Sequence, residues 1–191
     1  YTLRDPLGVV ACISPWNYPL HLLTWKIAPA LVMGNCVIAK PSEVTPMTAY
    51  LFSKACIKAG LPKGVLSIIH GTGEGIGDKI VKNPTIKAVS FTGGTKTGKI
   101  INKAASSLLK KVSLELGGKN PIIIFEDCNY KEMLKTTIRS SFANQGQICL
   151  CGERIFIQDS IYEKFKRDFV KEAKKLKIGD PLKLTSNQGA I

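Results

Sequence analysis

The sequence lacks any run of ~18 uninterrupted apolar residues, which excludes a membrane-spanning helix within it. No basic n-region followed by an apolar h-region is visible, so no secretory leader is expected. There is no Cys-x-x-Cys pair. The only two histidines, His21 and His70, make no ligand spacing with the cysteines, so a structural zinc site, or any other metal site, is not expected. Several of the six cysteines (Cys12, Cys36, Cys56, Cys128, Cys149 and Cys151) sit in apolar stretches, those around Cys12, Cys36 and Cys56. That placement predicts reduced, buried thiols in a reducing, cytoplasmic compartment. Acidic residues are scarce, 14 Asp+Glu against 27 Lys+Arg, for a net charge of +13. Arginine is scarcer still, with four residues (Arg4, Arg139, Arg154 and Arg167), and aromatics make up 7%. Lysines without interleaved aromatics do not build a base-stacking platform. They read as a solvated surface, and no nucleic-acid partner is expected.

What is present is ordinary globular material. The 191 residues are 45% hydrophobic and 21% charged, enough for one large domain or two small ones with a true core. The periodicity alternates. Residues 8–14, 35–40, 65–70, 86–93 and 111–116 read as short buried strands. Residues 19–34, 73–83 and 95–109 read as helices, and a further helix starts at Thr45, as N-cap, with Pro46 in its first position and ends near Gly60. Strands alternating with helices of this length predict a parallel sheet covered on both faces. Such sheets bind ligands at the carboxyl ends of their strands. Beyond the Gly117-Gly118 junction the pattern starts afresh. A strand is expected over 121–127, a helix over 129–146, a strand over 153–158 and a helix over 160–176, the last opened by a Ser160–Glu163 capping box.

The loops after the strands carry the chemistry-bearing residues. GTGEGIG (71–77) and FTGGTKTG (91–98) can turn backbone N–H groups toward a phosphate, and each also fits a plain strand–helix turn. In KPSE (40–43), a carboxylate after a strand suits ribose hydroxyls, and a solvated Lys–Glu turn fits equally. Cys149, in QGQICLCGER, lies in a glycine-bounded turn where a thiol can be exposed and reactive. Attack by such a thiol on a carbonyl needs an oxyanion donor and a base for the second step. Asn17 in SPWNYP and Glu115 in LELGG are candidates for these, and either can also be an ordinary loop polar group.

The segments SPWNYP, KPSE, FTGGTKTG, LELGGKNP and FANQGQICLCGER, in this order and with Cys149 34 positions after Glu115, resemble the motif series of the aldehyde dehydrogenase superfamily. The resemblance covers essentially the whole chain. It implies an α/β fold in which a Rossmann-like parallel-sheet cofactor domain (7–118) follows the end of an oligomerisation arm (1–6) and precedes the start of a second α/β catalytic domain (119–191). It implies oxidation of a small-molecule aldehyde to its acid with NAD, NADP being a possible substitute. Cys149 would be the nucleophile, Asn17 an oxyanion donor, Glu115 the base that activates water, and Lys26 the lysine near the proton path. Cofactor contacts would come from Ser14, Pro15 and Trp16, from Lys40, Pro41, Ser42 and Glu43, from Gly73 and Gly77, from Phe91, Thr92, Gly93 and Gly94, and from Leu116 and Gly117. Arg154 would be structural.

The resemblance also implies an internal segment well under half of a family protein, inactive by itself, whose parent is a homodimer or homotetramer. Retention of Glu115 favours hydrolysis to a free acid over transfer to CoA. The CLC run and FANQGQICLCGERIF resemble the branch that oxidises muconic semialdehydes. A broad-specificity or betaine-type enzyme, and a non-catalytic protein that keeps only the fold, are the alternatives. Cys151, two residues after the nucleophile, would be a spare small side chain or half of a strained redox disulfide.

Overall fold

The computed structural model describes residues 1–190. These divide into two compact units, 1–117 and 118–190. The first unit alternates strand and helix: β1 (Val9–Ile13), α1 (Pro19–Val32), β2 (Cys36–Lys40), α2 (Met47–Lys58), β3 (Leu66–Ile68), α3 (Asp78–Lys82), β4 (Ile86–Thr92), α4 (Thr95–Ser106) and β5 (Lys111–Glu115). The five strands are all parallel, in the order β3-β2-β1-β4-β5. The α/β parallel-sheet expectation therefore holds.

β1 shows why both faces are covered. Successive side chains on a strand point to opposite faces. Val10 and Cys12 pack with Leu23 and Ile27 of α1, Ala49 of α2, and Val37 and Ala39 of β2. Ala11 and Ile13 pack with Ile80 and Val81 of α3, Ile101 and Ala105 of α4, and Val89 and Phe91 of β4. Near-continuous apolar runs such as GVVACIS are what two-sided burial requires.

The helix ends differ in detail from the sequence expectation. α1 and α2 both stop on glycines with positive φ, Gly34 (78°) and Gly60 (81°). At each the two backbone bonds of a Schellman motif form, including Asn35 N–H to Ala30 O and Leu61 N–H to Cys56 O. α4 ends the same way but places Leu109, not a glycine, at φ 51°, so the helix stops at Ser106 rather than at 109. Thr45 is not the cap of α2. Pro46 holds the cap position in an α conformation, and the Thr45 hydroxyl is buried without a hydrogen-bond partner. The expected helix over 73–83 is a five-residue π turn, Gly73–Gly77, running into α3; the Thr72 hydroxyl accepts from Gly75 N–H at 3.1 Å.

The second unit holds β6 (Asn120–Ile124), α5 (Tyr130–Phe142), a 3-10 turn (Ala143–Gly146), β7 (Gly152–Ile157) and α6 (Asp159–Ala173). β6 and β7 pair in parallel. Phe165 of α6 is buried and stacks on Phe169, which meets Phe142 of α5. The capping box at Ser160 does not form. α6 starts at Asp159 with no side-chain cap, and the Ser160 hydroxyl bonds the Glu126 carboxylate at 2.6 Å instead. Among the described residues no helix is long and apolar enough to cross a membrane, and no cluster of potential ligands could hold a metal ion.

Leu23 is fully buried between α1 and the sheet. Leu23→Ala is expected to cost about 3 kcal/mol, from lost burial plus the cavity left behind. Urea denaturation checks this, and a loss below about 1 kcal/mol would contradict the packing described.

Candidate active site

All five strands of the first sheet end on one edge, since they are parallel and in register: Ile13 opposite Lys40 and Phe91, and Thr92 opposite Glu115. The strand order reverses between β1 and β4, so the loops leaving these two strands part and leave a crevice. A cleft of about 620 Å³ lies there. Ser14, Pro15 and Trp16 enter it after β1, Lys40, Ser42 and Glu43 after β2, Gly73 and Gly77 from the π turn, and Phe91, Thr92, Gly93 and Gly94 from the end of β4.

The other expected cofactor contacts do not line it. Pro41 is fully buried, with its carbonyl bonded to Lys40 Nζ. Leu116 packs against the core, so tightly against α4 that a Cβ on Gly98 would lie 2.6 Å from its Cδ2. Gly117 also lies outside the cleft. The glycine at 93 has a packing reason of its own, since a Cβ there would come within 2.5 Å of the Phe91 ring.

Charge in the cleft centres on two residues. Lys40 is 3% exposed, and its ammonium donates to the Glu43 carboxylate at 3.1 Å. The Glu43 carboxyl is held below the usual range by its own backbone amide and then by Lys40. It remains half-exposed, so one face is open to a ligand hydroxyl. The Ser14 hydroxyl is buried beside the cleft with no protein partner. Ile13, Phe91 and Ile101 supply apolar wall. An orphaned hydroxyl, a paired carboxylate and an apolar wall fit a nucleotide.

Sequence reasoning missed one wall. Lys96, Thr97, Ile100, Ile101 and Ala104 line the cleft from α4, Glu74 from the π turn and Asp78 from the start of α3. The spacing of 97, 100, 101 and 104 is a helical stripe, and this was the available signal.

Lys26 and Glu115 do not line this cleft. Lys26 is buried on the α1 side of the sheet, where its ammonium donates to Ser90 Oγ at 3.1 Å. Burial pushes its pKa down, while Cys12 and Glu115 pull it back up. The neighbouring Cys12 thiol is pushed up to about 11 by burial. Glu115, the last residue of β5, is exposed, and its charge is felt at Lys26. Asn17, half-buried, follows β1.

In the second unit, Cys149 is exposed and sits in a turn closed by Cys151 N–H to Ile148 O at 2.9 Å. The approach to that turn is unusual. Asn144 (φ 50°), Gln145 (58°) and Gly146 (73°) are left-handed in succession, which costs a non-glycine residue on the order of 1 kcal/mol. Two amide side chains hold the segment. Gln145 donates to the Gly189 carbonyl at 3.2 Å, and Gln188 donates to the Phe142 carbonyl. Asn120 donates to the carbonyls of both Cys149 and Cys151. None of these three was singled out in the sequence, because each acts across 29 or more residues. Arg154 Nε donates to the Lys119 carbonyl at 2.9 Å, tying β7 to the entry of β6.

Cys151 is 3% exposed, and its thiol donates to the Ala143 carbonyl at 3.6 Å. It is a packed side chain, and both it and Cys149 are free thiols. Cys151→Ser is expected to leave peroxide sensitivity, and its reversal by thiol, unchanged. A loss of reversibility would restore the disulfide.

The family model described as "Aldehyde dehydrogenase family" matches residues 1–191. The chain is 53% identical over 191 residues to 2-aminomuconic semialdehyde dehydrogenase of Mus musculus, covering all of this chain and 39% of the mouse protein. Among solved structures, betaine aldehyde dehydrogenase from Staphylococcus aureus in complex with NAD+ superposes with a TM-score of 0.95 at 40% identity, covering 97% of this chain and 37% of that one. An E. coli NADP-dependent enzyme superposes with a TM-score of 0.94 at 36% identity, covering 96% of this chain and 38% of that one. This chain thus spans well under half the length of these relatives. With a switch-point cleft fit for a nucleotide, an exposed cysteine on a clamped turn and a family match over its full length, the chain belongs to the aldehyde dehydrogenase family.

Proposed function

We propose that this chain supplies the cofactor cleft and the nucleophile of an enzyme that oxidises an aldehyde to its carboxylic acid with NAD. The observation that carries the reading is the contrast within one turn: Cys149 is exposed while Cys151, two residues on, is buried and bonded. A thiol presented this way is available to an electrophilic carbon.

The Cys149 thiolate adds to the aldehyde carbon. The carbonyl oxygen becomes an oxyanion that the Asn17 side-chain amide and the Cys149 backbone N–H stabilise. NAD, bound by the cleft, supplies the acceptor for the hydride that leaves this carbon. What remains on Cys149 is a thioester. Glu115, exposed to water, takes a proton from a water molecule whose oxygen adds to the acyl carbon. The carbon–sulfur bond then breaks, the acid leaves and the thiolate returns. In the cleft, Glu43 would hold the adenosine ribose by accepting from its hydroxyls, Lys40 keeps Glu43 in place, and the Ser14 hydroxyl would take a cofactor partner.

A muconic-type semialdehyde is the proposed substrate class. The 53% identity to the mouse semialdehyde enzyme, against 40% to the betaine-aldehyde structure, favours it. A semialdehyde of this class carries a carboxylate, and an excess of 13 positive charges assists its encounter.

In the full-length protein, Cys149→Ser is expected to abolish NADH formation with muconic, succinic and betaine-type aldehydes. Wild-type turnover in that variant would overturn the nucleophile assignment. Glu115→Gln is expected to give a stoichiometric burst of NADH and then a slow steady state, because hydride leaves before water is needed. A loss of burst and steady state together would remove Glu115 from the hydrolytic step. A 2′-phosphate is repelled by a neighbouring carboxylate. Glu43→Gln is therefore expected to raise kcat/KM with NADP relative to NAD, and an unchanged ratio would contradict the ribose assignment.

A further inference from the structure

We propose that Asn120 is a positioning residue for the nucleophile: its side-chain amide fixes the backbone on both sides of Leu150 and so sets the direction of the Cys149 thiol. The proposal rests on the reading of Cys149 as nucleophile and adds a residue that acts through it.

Asn120 is the first residue of β6 and stands opposite Gly152 of β7. An amide NH2 has two hydrogens, and both are used. One goes to the Cys149 carbonyl, and the other to the Cys151 carbonyl at 3.0 Å. The strand itself offers no donor at the next position, since Pro121 has no N–H and the β6–β7 register shifts between Asn120 and Pro121. The side chain of Asn120 supplies donors where the backbone ladder fails.

Two neighbouring features make the reach possible. A Cβ at Gly152 would run into the Ile122 side chain, so only glycine lets β7 start this close to β6. The turn is closed from within by Cys151 N–H to Ile148 O, and Cys151 Sγ is tied to Ala143. With its exit carbonyls anchored on Asn120, the turn has little freedom left except at the Cys149 side chain.

The electrostatic consequence is specific. A carbonyl oxygen carries partial negative charge. Swung toward Sγ, it would disfavour the thiolate and any oxyanion formed beside it. Held by Asn120, the Cys149 carbonyl is neutralised and kept fixed. A placement error near 1 Å at a reacting atom costs about a hundredfold in rate.

The test uses the full-length protein with Asn120→Asp, Asn120→Ala and Asn120→Ser. Iodoacetamide alkylation of Cys149 is followed against pH, and kcat and KM for NAD are measured alongside. Asn120→Asp keeps the shape, removes both hydrogens and adds a negative charge. It is expected to move the alkylation midpoint to higher pH and to lower kcat about tenfold to a hundredfold, with KM for NAD unchanged. Asn120→Ala is expected to shift both in the same direction by less, and it serves where the Asp variant does not fold. Asn120→Ser keeps a hydroxyl donor and is expected to recover part of the loss relative to Ala. A folded Asp or Ala variant with the wild-type alkylation profile and kcat overturns the proposal. If the wild-type protein forms no NADH with any aldehyde, the oxidation reading fails; the alkylation profile, which needs no aldehyde, still decides the Asn120 assignment.

Discussion

β1 is hydrogen-bonded on both sides, to β2 with Ile13 opposite Lys40 and to β4 with Ile13 opposite Phe91. The first unit depends on that double register. It places the ends of three strands side by side at the point where the strand order reverses, and the loops that leave them must diverge. A one-residue slip of β1 would exchange Val10 and Cys12 with Ala11 and Ile13 between the two cores. It would also move Ser14 away from the cleft. The register of β1 is therefore a condition of the site as well as of the core.

The second unit solves a different problem with different means. Cys149 is exposed, and no helix or strand holds it. Side-chain amides do the holding. Asn120, Gln145 and Gln188 bond main-chain carbonyls of the turn, of the segment before it and of the strand of chain at 189. The left-handed run at Asn144–Gly146 is the local cost of this shape, and it persists because those bonds over-determine it. Strain beside a reactive group is where a fold departs from the locally preferred conformation.

The strand–helix alternation was legible because two-sided burial writes short β-branched runs and because Gly34 and Gly60 end helices in the left-handed conformation that glycine adopts without strain. The glycine-rich loops and KPSE were legible from their chemistry, and twelve of the cofactor contacts that the family resemblance implied line one cleft. What failed was local hydrogen-bond bookkeeping. Ser160 looks like a cap three residues before Glu163, but its hydroxyl bonds Glu126, 34 residues away. Asn129, by contrast, does cap α5, accepting from Glu132 N–H. The two sites have the same local grammar, and only tertiary contacts choose between them. Leu116 shows the converse. The family resemblance implied a ligand contact for it, yet the absence of a side chain at Gly98 draws it into the core.

The central claim is covalent chemistry at Cys149 that depends on the nucleotide. The most direct measurement is mass spectrometry of the full-length wild-type protein, acid-quenched during turnover of a semialdehyde and digested. The account predicts the mass of the substrate acyl group on the peptide that contains Cys149, present with NAD and absent without it. An acyl group on Cys12, Cys36, Cys56, Cys128 or Cys151 instead, or no adduct during active turnover, would contradict it.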